Sequence, residues 1–353
     1  MKSKKNFGTL RLMNPLADFL KRKKVVVMFV SGGVGEFLFQ LDLAKRFEDQ
    51  GLPTYFFIKK KYTFFSQIVQ LSAVNEAKLF SLEKNTILGF VRFLMTCLTS
   101  SVVVVNSFNS LRFSVSTKIA YTIALLTAGE VIISKKDKAY KGFLETVPYQ
   151  EQEVIWERNN RIVTHITGRK SELPFPVVFN DTRRAVSVPY VHIHPVGSSK
   201  EKSYPVKMLI ELFEGKRDVT WMFTLTPGEA SWYVTQELRD YLEKNKHVTL
   251  LIKYFHASEI ISIMTAATCF CTVNTGLLWL ACMNSVKTVV IDTYTDFEWN
   301  PGGYKNVTRL SHDYDEQGRS LHLVKKQHED GLYFESMYLV SPQEIVEAIN
   351  RVV

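Results

Sequence analysis

Short runs of β-branched and aromatic residues alternate along this chain with longer stretches in which apolar positions recur at helical spacing. Runs without an exposed polar face predict parallel strands buried beneath helices on both sides. The first unit reads as a strand at Val25–Val30, a glycine loop, a helix from about Glu36 to Glu48, a turn at Gly51 and a strand at Tyr55–Ile58. A strand at Val102–Val105 and a helix over Leu111–Leu126 continue the pattern, and Arg161–His165 reads as the last strand of this half. The alternation then fails from Thr167 to Val188, where Gly168, Pro174, Pro176, Asn180 and Asp181 interrupt it. It restarts with strands at Tyr190–Ile193, Thr220–Leu225, Val248–Ile252, Cys269–Val273 and Thr288–Ile291, and with helices from Pro205 and over Glu229–Leu242. The pattern predicts an α/β protein of two Rossmann-like domains with parallel sheets facing across a cleft: residues 1–168, a linker at 169–188, and residues 189–353, whose last helix is free to pack back on the first domain.

A length of 353 residues exceeds what one core usually organises, which agrees with two domains. Hydrophobic residues at 46% and charged residues at 22% describe a folded chain and argue against disorder. Cys97, Cys269, Cys271 and Cys282 all sit in apolar segments. The Cys269-x-Cys271 pair lacks the second pair of a zinc site, so the four read as reduced core thiols of a cytosolic protein. Residues 1–24 are basic and contain no apolar signal-peptide core. The net charge of +9 suits phosphate groups or an anionic membrane surface, and equally a solvated set of lysines at strand ends, as in Lys21–Lys24 and Lys59–Lys61. Nothing in the pattern calls for nucleic acid as a partner.

The loop Ser31-Gly32-Gly33-Val34-Gly35-Glu36 follows a strand and opens a helix, where backbone amides can approach a ligand. A dinucleotide fingerprint beginning at Gly33 would end on Leu38 instead of glycine, and the next strand ends in lysines instead of a ribose-binding acid. No Gly-Lys-Ser/Thr follows, so it is not a Walker loop. Glu36 stands in the first helical turn, a place equally natural for an acid that complements the helix dipole.

Three segments resemble the heptosyltransferase family, glycosyltransferase family nine. Val27–Leu38 is similar to the family's strand, small-residue loop and Gly-Asp pair, here Gly35-Glu36. His194-Pro195-Val196-Gly197-Ser198-Ser199-Lys200-Glu201-Lys202-Ser203-Tyr204-Pro205 is similar to its His-Pro-Gly strand end, basic residue and proline before a helix. Asn274-Thr275-Gly276-Leu277-Leu278-Trp279-Leu280-Ala281, with Thr295-Asp296, Trp299 and Pro301 beyond the next strand, looks like its Asp-Thr-Gly helix start. Thr226-Pro227-Gly228-Glu229 resembles a turn ending in a donor-holding glutamate. The resemblance implies the GT-B fold and an inverting, metal-independent glycosyltransferase. Its donor would be a nucleotide diphosphate sugar, heptose or a related one, and its acceptor a glycan or lipid-linked molecule of the lipopolysaccharide type.

By the same resemblance Glu36 is the base, and Lys202 a catalytic and phosphate-binding lysine. Gly33 and Gly35 form the acceptor-side loop. Gly197, Ser198, Ser199, Lys202, Glu229, Asn274, Thr275, Gly276 and Trp279 bind the donor. No cofactor or metal is implied. Asn274 and Trp279 depart from the family's aspartate and histidine, which bears on the sugar and leaves open a homologue that binds without turnover. Another Rossmann-type enzyme, an epimerase or a reductase, is the further alternative, suggested by Gly32–Gly35. The one D-x-D, Asp313-Tyr314-Asp315, reads as an acidic turn. Leu16, Phe19 and Leu20 beside the Lys21 run suit peripheral membrane contact or an N-terminal helix packed on the domain, in a cytoplasmic protein on the inner membrane face.

Overall fold

A computed structural model describes residues 24–30, 33–58, 63–72, 74, 78–81, 91, 94–96, 98–106, 130–134, 145–147, 153–170, 189–293 and 304–353. The expected helix at 111–126, Cys97, the lysines at 59–61, most of the linker, the N-terminal segment and the Thr295–Pro301 loop lie outside the described residues.

The first half contains β1 (Lys24–Val30), α1 (Val34–Glu48), β2 (Thr54–Ile58), α2 (Thr63–Leu71), β3 (Lys78–Ser81), β4 (Ser101–Asn106), β5 (Glu130–Ser134), β6 (Glu145–Val147) and α3 (Ile155–Thr167). Among the described residues its six strands are all parallel, in the order β3-β2-β1-β4-β5-β6. The second half contains β7 (Val191–His194), a 3-10 turn at Lys200–Lys202, α4 (Val206–Gly215), β8 (Trp221–Leu225), α5 (Pro227–Tyr233), α6 (Gln236–Lys244) and β9 (Val248–Ile252). It continues through α7 (Ala257–Ala266), β10 (Cys269–Val273), α8 (Gly276–Met283), β11 (Thr288–Ile291) and β12 (Val307–Leu310). The hairpin β13 (Lys325–His328) and β14 (Gly331–Phe334), α9 (Glu335–Tyr338) and α10 (Pro342–Val352) close the chain. Its sheet, β12-β11-β10-β7-β8-β9, repeats the topology of the first. In each sheet the order reverses direction beside the first strand, at β1/β4 and at β7/β10, where a crevice opens beyond the carboxyl ends.

Two expectations are corrected here. Arg161–His165 is no strand; it lies within α3, whose buried Ile155, Arg158, Asn159, Ile162 and Val163 recur at helical spacing. Asn159 Nδ2 donates to the Phe39 carbonyl at 2.9 Å and to Asp42 Oδ2 at 2.8 Å, and Arg46 Nε donates to the same Oδ2 at 2.9 Å, so a buried polar knot ties α3 to α1. Glu229–Leu242 is two helices, because the Thr235 side chain accepts the Leu238 N–H and starts α6 anew. The last helix, α10, packs on α4, β11 and β12 of its own half.

Alternate residues of β10 serve different cores, as a strand's period of two requires. Cys269, Cys271 and Val273 join the outer core under α4 and α10, whereas Phe270 joins α7, α8 and the part of the first half's core that packs around α1. The inner core therefore runs unbroken from one half into the other. Phe39 and Trp279 rings meet edge to face at 4.9 Å, and Tyr304 stands between Trp279, at 6.1 Å, and Trp156, at 5.4 Å. Each such aromatic pair adds about 0.5–1.5 kcal/mol beyond burial.

Candidate functional site

A cleft of about 770 Å³ lies where the carboxyl ends of the two sheets meet, within the range of small-molecule sites. Its polar lining includes His194, Gly197, Ser198, Thr226, Glu229 and Asn274, and its apolar lining includes Phe64, Phe65, Tyr254, Phe255, Ile260 and Leu277.

Two helix starts converge on the rim. Thr275 caps α8 by accepting the Leu277 N–H, and Gly276 opens that helix; Gly33 precedes α1 and brings no side-chain cap. Gly33, Val34, Thr275 and Gly276 all line the cleft. Helix starts present free amides and the positive end of the macrodipole, so their convergence favours an anion. Among the described lining residues there is no lysine or arginine, and Glu229 carries the one full charge.

Glu229 divides its carboxylate between two tasks. Oε2 accepts from Thr226 N at 2.7 Å and Thr226 Oγ1 at 2.9 Å, closing a capping box, while Oε1 lies 3.7 Å from His194 Nε2. His194 is 5% exposed, and its Nδ1 lies 2.9 Å from the Thr224 carbonyl oxygen. That oxygen can only accept, so Nδ1 carries the hydrogen. Burial pushes the His194 pKa down, against the opposing pull of Glu229 and of backbone carbonyls at Thr224 and Val196. Burial thus favours the neutral imidazole, and its Nε2 faces Glu229 Oε1 at 3.7 Å, beyond direct hydrogen-bond distance. Behind it His192 is wholly buried, with Nε2 at 2.8 Å from Thr224 Oγ1, and burial followed by His194 lowers its pKa far below the ordinary histidine value.

The residues singled out from sequence divide sharply. Gly33, Gly197, Ser198, Glu229, Asn274, Thr275 and Gly276 line the cleft together; Glu36, Gly35, Ser199, Lys202 and Trp279 do not. Asn274 is anchored through Nδ2 to Asp292 Oδ1 at 3.0 Å, and Asp292 in turn accepts from Arg309 Nε at 2.7 Å. Trp279, grouped with the donor residues by resemblance, is instead 2% exposed in the seam between the halves, against Phe39 and Gly35. Lys202 sits in the 3-10 turn with Nζ 5.9 Å from the Phe334 ring centre, shared with Lys325 at 4.8 Å. Gly197 packs on this turn: a Cβ there would come within 2.3 Å of the Lys202 carbonyl oxygen. Glu36 occupies the first turn of α1, half-buried, two residues past Val34. His194, Gln67, Tyr254, Phe255 and His256 line the cleft without having been assigned a role from sequence. For His194 a signal existed, a His-x-His strand end before Pro195 with both imidazoles on one face.

The acidic turn binds its own arginines. Asp313 accepts from Arg309 at 2.8 and 3.0 Å, and Asp315 accepts from Arg319 Nε at 2.7 Å and from the backbone of Gln317 and Arg319. Among the described residues no group of three or more metal-ligating side chains occurs, and no helix is long and apolar enough to cross a membrane. Cys269, Cys271 and Cys282 are buried free thiols, and burial raises Cys269 to about 12.

Two parallel sheets of the same order facing across one cleft define the GT-B architecture. The chain is similar in structure to the glycosyl transferase family 9 protein from Veillonella parvula DSM 2008, with a TM-score of 0.63 and 10% identity over 94% of this chain and 97% of that one. It is similar to E. coli ADP-heptose LPS heptosyltransferase II, with a TM-score of 0.61 and 10% identity over 93% and 98%. It is also similar to E. coli heptosyltransferase WaaC with ADP, with a TM-score of 0.60 and 11% identity over 93% and 97%. No protein-family model matches the chain, and no curated protein matches it in sequence.

Proposed function

We propose that the cleft binds a nucleotide diphosphate sugar and transfers its sugar, with inversion and without a metal, to a glycan or lipid-linked acceptor of the lipopolysaccharide type. The observation that carries this reading is the convergence of the α1 and α8 starts on one rim, which provides a diphosphate seat from backbone amides. Ser198 and the amides at Thr275 and Gly276 hold the diphosphate, and Glu229 with His194 accepts hydrogen bonds from ligand hydroxyls. In the transfer, Glu36 takes the proton of the acceptor hydroxyl as its oxygen bonds to the anomeric carbon. The bond from that carbon to the diphosphate breaks, and the electron pair leaves with the diphosphate. For Glu36 and Lys202 to act, both side chains must turn into the cleft. A cytosolic protein meeting its acceptor at the inner membrane face completes the proposal.

A second reading, binding without turnover, is favoured by the position of Glu36 outside the cleft lining and of Trp279 in the seam. Thermal unfolding with a panel of nucleotide diphosphate sugars tests the shared element. A donor at about a hundred times its Kd should add about 2.7 kcal/mol of stability, and a panel in which no member raises Tm overturns both readings. Transfer or hydrolysis of the stabilising donor then separates the two.

A further inference from the structure

The start of α7 reaches the rim of the cleft, and its N-cap residue, His256, supplies no side-chain cap. The cap comes from the other half of the molecule. Gln67 of α2 accepts the Ala257 N–H on Oε1 at 2.9 Å, and its Nε2 lies 2.9 Å from His256 Nδ1. These two bonds impose an order. The Ala257 N–H can only donate, so it holds Oε1 on its side and turns the Nε2 hydrogens toward His256. Nδ1 must then accept, which makes neutral His256 the Nε2–H tautomer. Gln67 and His256 line the cleft together with Phe64, Phe65, Tyr254 and Phe255.

We infer that Gln67 is a positioning residue: it clasps the two halves at the cleft and sets the Tyr254–His256 wall, and the clasp holds only while His256 is neutral. Protonated Nδ1 would face the Nε2 hydrogens donor to donor, and rotating the amide would set those hydrogens against the Ala257 N–H. On the His256 side, Glu259 of α7 pairs with Lys253. The α2 segment, Thr63–Leu71, carries no titratable side chain. The inference stands on this geometry alone and does not require the proposed sugar transfer.

Amide hydrogen exchange of the ligand-free protein, read as the protection factor of the Ala257 N–H, tests it. Wild-type protection should fall once acid puts a proton on Nδ1, while amides of β10 report global stability. Gln67→Ala should lower protection about fivefold near neutral pH, the size of a lost helix cap, and remove the pH trend. Gln67→Glu keeps an acceptor for Ala257 but offers a second oxygen to Nδ1, so its protection should rise on acidification, the reverse of wild type. Unchanged protection in Gln67→Ala, or a Gln67→Glu profile parallel to wild type, overturns the inference. The isosteric Gln67→Glu keeps the experiment decisive even if the alanine variant fails to fold.

Discussion

A Cβ built on Gly276 would come within 2.6 Å of the Val34 Cβ, so the first residues of α8 and α1 meet with no room between them. Neither residue has a left-handed backbone, so space alone is at issue. Gly276→Ala should therefore wedge the halves apart at a cost of about 1–3 kcal/mol, read as a lower urea midpoint. An unchanged midpoint would mean that the helices part freely.

Trp279→Ala should cost about 3–5 kcal/mol, because it empties a buried site that touches Phe39 and Tyr304. Its effect on nucleotide affinity, measured on the folded protein, should be smaller than that of Glu229→Ala, since Glu229 lines the cleft and Trp279 does not. The opposite ranking would return Trp279 to the donor site.

Acid should destabilise the protein through His192 and His194. Both are lowered in the folded state, so below the ordinary histidine value of about 6.5 the unfolded chain binds protons that the folded chain refuses. Their contribution is complete above that pH and is lost as pH falls from there toward the folded values. Tm measured across this window should decline, and less steeply in His192→Gln. A flat profile in the wild type would contradict the neutral pair.

Asn274→Asp, which restores the carboxylate of the resembling family, should be destabilising by about 1–3 kcal/mol. It would set a second carboxylate 3.0 Å from Asp292, with Arg309 already engaged by Asp292 and Asp313. Repulsion and burial would raise the pKa of the new acid, so the loss should grow with rising pH. Melting curves at about pH 5 and about pH 8 check the sign.

Glu36→Gln should abolish most transfer, by about 10²- to 10⁴-fold, while leaving donor binding intact. Lys202→Ala should weaken nucleotide diphosphate binding. Titration calorimetry beside a transfer assay reads both; normal turnover in the first or normal affinity in the second removes the corresponding role.

The strands β9, β10 and β11 were legible to the residue because short β-branched or aromatic runs end there in polar or turn-forming residues. Residues 161–165 misled because Arg-Ile-Val-Thr-His resembles a strand in isolation; Ile155 and Ile162, a helical repeat apart, share a face only over the longer stretch. The polar lining of the cleft was legible as three motifs, since each is a strand end followed by its helix. What the sequence could not reveal is which distant pieces meet. Lys202 is held beside Phe334, a residue far along the chain, and Gly35 fits against Trp279 of the other half. Gln67 carries no local mark at all, because its partners, Ala257 and His256, belong to the other sheet.

The unbroken inner core has a practical corollary. Cleaving the backbone in the region 171–188 would leave two fragments whose cut faces are greasy and mutually shaped, one presenting Phe39 and Trp156, the other Trp279 and Tyr304. Such pieces would be poorly soluble alone and would recombine when co-expressed, so this molecule lends itself to complementation of split chains and not to study as isolated lobes.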